Sequence, residues 1–282
     1  MTDILFDDRI CALGEGAFWH PLRRQFFWFD ILNSKLLTRT DDGPQEWQMS
    51  EMCSAAGWID NDTLLIASET ALVRFDLRTG RRSDLCALEA DNPVTRSNDG
   101  RADPWGGFWI GTMGKGAQPQ AGSIYRYFGG ELRRIVPEIT ISNAICFAPD
   151  QSCAYYADTD AQKIWRQPLD QRGWPQGAPV LFRDLAPEGI YPDGAVTDAA
   201  GNLWNAQWGA GRVACYDAAG NFLRALNLPA GQSSCPAFGG ADYDQLFVTT
   251  AAVGDKGDGV GCTYRLTAPD LRGRAEPQVV LG

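Results

Sequence analysis

Histidine is nearly absent from this chain: His20 is the only one in 282 residues. A lone imidazole leaves a histidine-rich metal centre without its parts. No G-x-S-x-G elbow accompanies it, so a Ser-His-Asp hydrolase is disfavoured, and His20 itself reads as structural. Runs of 18 apolar residues are missing too, and no membrane-spanning helix is expected. Basic residues are in the minority, 25 Lys and Arg against 35 Asp and Glu, for a formal net charge of -10. That balance argues against nucleic acid or an anionic membrane as partner. The start, "MTDILFDDRICALGEG", is acidic and short of apolar length, so no signal peptide is read there and a cytoplasmic location is expected. Eight cysteines are scattered without a CxxC pair, and are expected to be reduced, buried, small hydrophobes.

What the chain does have is a period. Six segments share an apolar pair, a further apolar or small residue, and then a small or polar one. They begin at Phe27, Leu64, Phe108, Tyr155, Leu203 and Leu246, which lie 37, 44, 47, 48 and 43 residues apart. A turn rich in Pro, Gly, Asp and Asn precedes each, as in "ADPWGG" and "TDAAGN". Another strand follows, as in "LVRFD", "SIYRYF" and "KIWRQP". Short strands at a period in the forties mark β-propeller blades. The expectation is an all-β, six-bladed propeller with four-stranded antiparallel blades around a central channel, one domain over residues 1–282. The strand-like ends "DILFDD" and "PQVVLG" suggest that one end completes a blade begun by the other. Most of the ten tryptophans are then packing between blades.

Counting back from each segment puts a polar residue at one register: Glu15, Ser54, Asn98, Asn143, Asp193 and Ser234, each 10 or 12 residues earlier. The first strand of a propeller blade lines the channel, so these six form a ring at one end of it. For any one of them a turn cap is the simpler reading. Recurrence in every repeat favours a shared site. Two carboxylates and two amides converging in a channel are costly unless compensated. Their oxygens suit a hard divalent cation such as Ca²⁺, Mg²⁺ or Mn²⁺. Asp30 and Asp158 recur at another shared strand position and read as support for blade or channel wall. Asp99 reads as a turn or supporting residue.

The stretches "LGEGAFW", "SNDGRADPWGGFWIGTM", "SNAICFAPD", "YPDGAVTDAAGNLWNAQWGAGRV" and "SCPAFGGADYDQLFVTTA" together resemble the SMP-30/gluconolactonase/luciferin-regenerating family of propeller lactonases. The resemblance spans nearly the whole chain. It implies one divalent metal held by Glu15, Asn143 and Asp193, with Ca²⁺ leading and Zn²⁺, Mn²⁺, Mg²⁺ or Fe²⁺ as alternatives. It implies Asp193 as general base, and Arg96 and Asn98 as substrate contacts. Where the family often has an acid after "GTM", this chain offers Gln118 as the substrate contact. Where it has Gly after the metal-binding Asn, this chain has Ala144. The implied activity is hydrolysis of a sugar-acid lactone to the aldonic acid, the metal polarising the carbonyl or activating water. The implied partner is a small-molecule sugar lactone, with no obligate protein partner. The alternatives are a metal- or ligand-binding propeller without turnover, and an esterase or phosphotriesterase at the same metal, which an apolar channel mouth would favour. Gly194 is expected to let the chain bend so that Asp193 faces the channel.

Overall fold

The computed structural model describes residues 4–282. Among the described residues, twenty-four strands form six four-stranded antiparallel sheets. The one helical element among the described residues is a 3-10 turn at Ala186–Glu188. The first blade runs outward from the channel as Gly14–His20, Gln25–Asp30, Lys35–Thr40 and Gly43–Gln48. The innermost strands of the next five are Cys53–Trp58, Thr95–Ala102, Ser142–Phe147, Tyr191–Thr197 and Ser233–Gly239. Each packs against the next, and the last packs against the first, so the ring closes. The expected segments are the second strand of each blade, as their patterning requires. Those strands are buried on both faces between neighbouring blades, which replaces the alternation of a half-exposed strand with a nearly continuous apolar run. Outer strands such as Gly43–Gln48 face water and are polar.

Closure comes from the N-terminal end. Leu5–Asp7 pairs antiparallel with Thr263–Thr267 and becomes the outermost strand of the sixth blade. The C-terminal "PQVVLG" forms no strand. It lies along blades two and three, with Val279 N–H donating to Trp58 O at 2.9 Å and Val280 N–H to Gly106 O at 2.8 Å. Just before it, Glu276 pairs with Arg101, which also donates to Ala195 O and Pro236 O from the fifth and sixth blades. This buried guanidinium links the third blade to the fifth and sixth.

Aromatic rings fill the gaps between blades. Trp28, Trp109 and Trp204 are fully buried, and Phe26 stacks on Phe247 with centroids 4.7 Å apart. All eight cysteines are free thiols, seven of them buried. His20 is buried in the first blade with Nε2 3.0 Å from Asp60 O, a structural position. Asp30 accepts from the backbone N–H groups of Ala12 and Leu13, and Asp158 from those of Thr140 and Ile141. In both blades the recurrent aspartate therefore anchors the chain just before an innermost strand.

Candidate active site

All six innermost strands break register at the polar position. Shifts fall between Glu15 and Phe18, Cys53 and Ala55, Ser97 and Gly100, Asn143 and Cys146, Pro192 and Ala195, and Ser233 and Pro236. A β-bulge re-aims the side chain that carries it. Here it sets the side chain of the polar ring position in each blade. The first and fourth blades reach the bulge with one left-handed residue, Gly16 and Ala144, both at φ 58°. Gly194 has ordinary φ. Its glycine is needed for space, because a Cβ there would meet Cys235 Cα and Ser234 O at 2.9 Å. The bend expected of Gly194 is in fact close approach to the sixth blade.

Four of the six ring residues, Glu15, Asn98, Asn143 and Asp193, line a cavity of about 440 Å³, together with Arg96. Ser54 and Ser234 do not line it. Ser54 Oγ donates to Ser97 Oγ at 2.8 Å, and Ser234 Oγ donates to Gly14 O, so both join adjacent blades. Gln118 also lies off the cavity. It is exposed, and its Oε1 accepts from Gly116 N–H at 3.0 Å within its own loop.

A directed chain of hydrogen bonds sets the polar groups. Arg96 Nη1 donates to Ser97 O and Asn98 Oδ1, each at 2.8 Å. Asn98 Nδ2 donates to Ser142 O at 2.9 Å and Asn143 Oδ1 at 3.2 Å. Asn143 Nδ2 donates to Thr159 Oγ1 at 2.8 Å, and Thr159 in turn donates to Pro192 O at 2.6 Å. With its nitrogen committed to Thr159, Asn143 must turn its oxygen the other way. Asn205 Nδ2 donates to Asp193 O at 2.8 Å and holds that bulge from the second strand. Asp99 Oδ2 accepts Ile145 N–H at 2.7 Å and braces the Ala144 bulge from below.

Thr159 and Asn205 were not read from the sequence. Asn205 had a signal: the third residue of its segment is apolar in the other five, namely Phe29, Ile66, Ile110, Ala157 and Val248. Thr159 had none, because its partners are 16 and 33 residues away.

Electrostatically the site is unbalanced. Burial first, then Asp193 and Asp99, holds the Glu15 carboxyl well above the usual range. Burial and then Asp99 do the same to Asp193. Burial pushes Asp99 up to about 6. Arg96 is the one guanidinium lining this cavity, and its Nη2 and Nε have no hydrogen-bond partner among the described residues. Asp193 Oδ1 is buried without a hydrogen-bond partner among the described residues. Among the described residues no three His, Cys, Asp or Glu side chains gather as a metal cluster, so the donor set is two carboxylates and one oriented amide oxygen. Oxygen donors of this kind fit a hard divalent cation, which would also offset the surplus negative charge.

The SMP-30/Gluconolactonase/LRE-like region model matches residues 13–252. The chain belongs to that family. A Rhizobium meliloti protein with the provisional name sugar lactone lactonase is 38% identical, over 98% of this chain and 99% of its own. An L-arabinolactonase of Azospirillum brasilense is 36% identical, over 89% and 84%. The crystal structure of regucalcin from Agrobacterium tumefaciens, described as a calcium-binding protein, superposes with a TM-score of 0.96 and 36% identity, over 99% and 97%.

Proposed function

We propose that this protein is a divalent-metal-dependent sugar lactonase, hydrolysing an aldonolactone to the aldonic acid. The observation that carries the reading is Asp193 Oδ1, a buried and unpartnered carboxylate oxygen in a cavity it shares with Glu15, Asn143 and Arg96. The sugar lactone lactonase and L-arabinolactonase names of the relatives support it.

Glu15, Asn143 and Asp193 would hold the cation, with Ca²⁺ leading on the strength of the regucalcin neighbour. Bound there, a divalent ion supplies Lewis acidity toward the lactone carbonyl. Asp193 takes a proton from the attacking water. Its two oxygens allow ligation and proton acceptance to fall on different atoms. Arg96 donates from Nη2 and Nε to lactone or hydroxyl oxygens. Asn98, fixed by Arg96 on one side and Ser142 on the other, positions Asn143 and meets the substrate edge.

A panel of aldonolactones, assayed after chelation with Ca²⁺, Mn²⁺, Zn²⁺, Mg²⁺ and Fe²⁺ added singly, tests the proposal. Turnover with at least one pair is expected, and Asp193→Ala is expected to abolish it. Failure of every pair would sink the reading. The apolar wall of the same cavity favours a second reading, hydrolysis of an ester with an apolar body. Faster turnover of phenyl acetate than of any lactone would select it.

A further inference from the structure

The twelve residues around the cavity divide by burial. The polar six, Glu15, Arg96, Asn98, Asn143, Thr159 and Asp193, are all buried. The rest are Leu13, Met113, Ile141, Tyr191, Trp208 and Val253, every one apolar or aromatic. Of these only Met113 is buried, and Tyr191 and Val253 are each 45% exposed. The polar set therefore forms the depth of the cavity and the apolar set its wall and mouth. Five of the six blades contribute to that wall, the second blade being the exception. Among the side chains of these six residues the nitrogen and oxygen atoms are Tyr191 Oη and Trp208 Nε1. Gln118, the amide that could have served the mouth, lies off the cavity with its Oε1 bonded to Gly116 N–H in its own loop.

We infer that the site selects lactones whose exocyclic end is deoxygenated, carrying a methyl where most sugar lactones carry a hydroxymethyl. This rests on the lactonase reading above. The carbonyl must reach the buried depth, where Asp193 and Arg96 lie. The substituent beyond the ring then extends along the wall. A hydroxyl there gives up water and meets carbon over most of the wall, with Tyr191 Oη and Trp208 Nε1 the side-chain groups that could bond it, whereas a methyl covers apolar surface that is otherwise wet. The remaining ring hydroxyls still meet the polar depth, so the substrate keeps its sugar character at one end only. One methyl gained and one hydroxyl stranded correspond to a preference of about tenfold in kcat/KM at a partly open wall.

The test is a matched pair that differs at one atom. L-fucono-1,4-lactone and L-galactono-1,4-lactone share every stereocentre and differ only in the C6 hydroxyl. L-rhamnono- and L-mannono-1,4-lactone form a second such pair. The 6-deoxy member of at least one pair is expected to react about tenfold faster in kcat/KM. Val253→Asn places a hydrogen-bonding side chain on the wall at an exposed loop position that tolerates it. It should shrink that preference to about threefold or less. Turnover of both members at equal rates, or faster turnover of the hydroxylated one, would overturn the inference and leave the lactonase reading standing. A preference that survives Val253→Asn, Ile141→Asn and Trp208→Gln unchanged would overturn the role of the wall. Hydrolysis of no lactone with any metal would remove both.

Discussion

Gly16 and Ala144 stand at the same place in two blades and share φ 58°, so exchanging their side chains separates backbone strain from space. At Gly16 a Cβ would lie 2.1 Å from Ser54 O and 2.9 Å from a ring carbon of Phe29. The first of these is backbone of the next blade and cannot swing aside. Gly16→Ala therefore incurs left-handed strain of about 1–2 kcal/mol. Overpacking adds about 1–3 kcal/mol. The stiffer unfolded chain returns about 0.4–1 kcal/mol. The net is a loss of about 1–5 kcal/mol, and Glu15, one residue away, moves with the strand. Ala144→Gly reverses the strain but removes a buried methyl of about 0.8 kcal/mol and loosens the unfolded chain. It should fall within about 1 kcal/mol of the parent. Urea unfolding at saturating Ca²⁺ measures both, with calorimetric titration of Ca²⁺ beside it. Gly16→Ala is expected to lower the midpoint sharply and weaken Ca²⁺ binding, and Ala144→Gly to do neither. Equal and opposite changes, a loss for Gly16→Ala matched by a gain of the same size for Ala144→Gly, would show that the bulge angle, not the space between blades, governs these positions, and would refute the reasoning.

Thr159→Val removes the acceptor of Asn143 Nδ2 and the donor to Pro192 O, and is expected to weaken cation binding about tenfold or more, with Thr159→Ser restoring it. Calorimetric titration with Ca²⁺ reads this without any turnover. Asp193 carries a raised proton affinity in the folded chain, so its contribution to stability is present below the ordinary carboxylate range and lost as pH rises through its folded value. Chelated Asp193→Asn should accordingly melt higher than chelated parent at pH 7, with the gap closing toward pH 4. A wider gap at low pH would contradict the assignment. A cation at a hundred times its Kd is expected to raise the parent's stability by about 2.7 kcal/mol, and that of Asp193→Ala by far less. Glu276→Ala leaves Arg101 buried without its carboxylate and should cost about 3–5 kcal/mol in urea unfolding.

Much of the candidate site could be read before the fold was known, because propeller geometry converts one register into one ring. Glu15, Asn98, Asn143 and Asp193 follow from counting back along repeats, and the structure brings them to one cavity with Arg96. Counting could not say that Ser54 and Ser234, in the same register, would turn to neighbouring blades. Nor could it place Gln118, whose direction depends on a loop outside the repeat. Thr159 escaped notice because a hydroxyl in a turn has no distinguishing pattern until its partners are seen.

The sequence by itself determined the six blades, their four strands and the shared register of the polar residues, since each follows from local periodicity repeated along the chain. Only the tertiary structure decided which end of the chain closes the last blade, that Gly194 is required by the close pass of a neighbouring strand, and that the mouth of the cavity is apolar. The physical reason is the same in each case. These features are made by residues from different blades, and their meeting is set by the closing of the ring rather than by any pattern within one repeat.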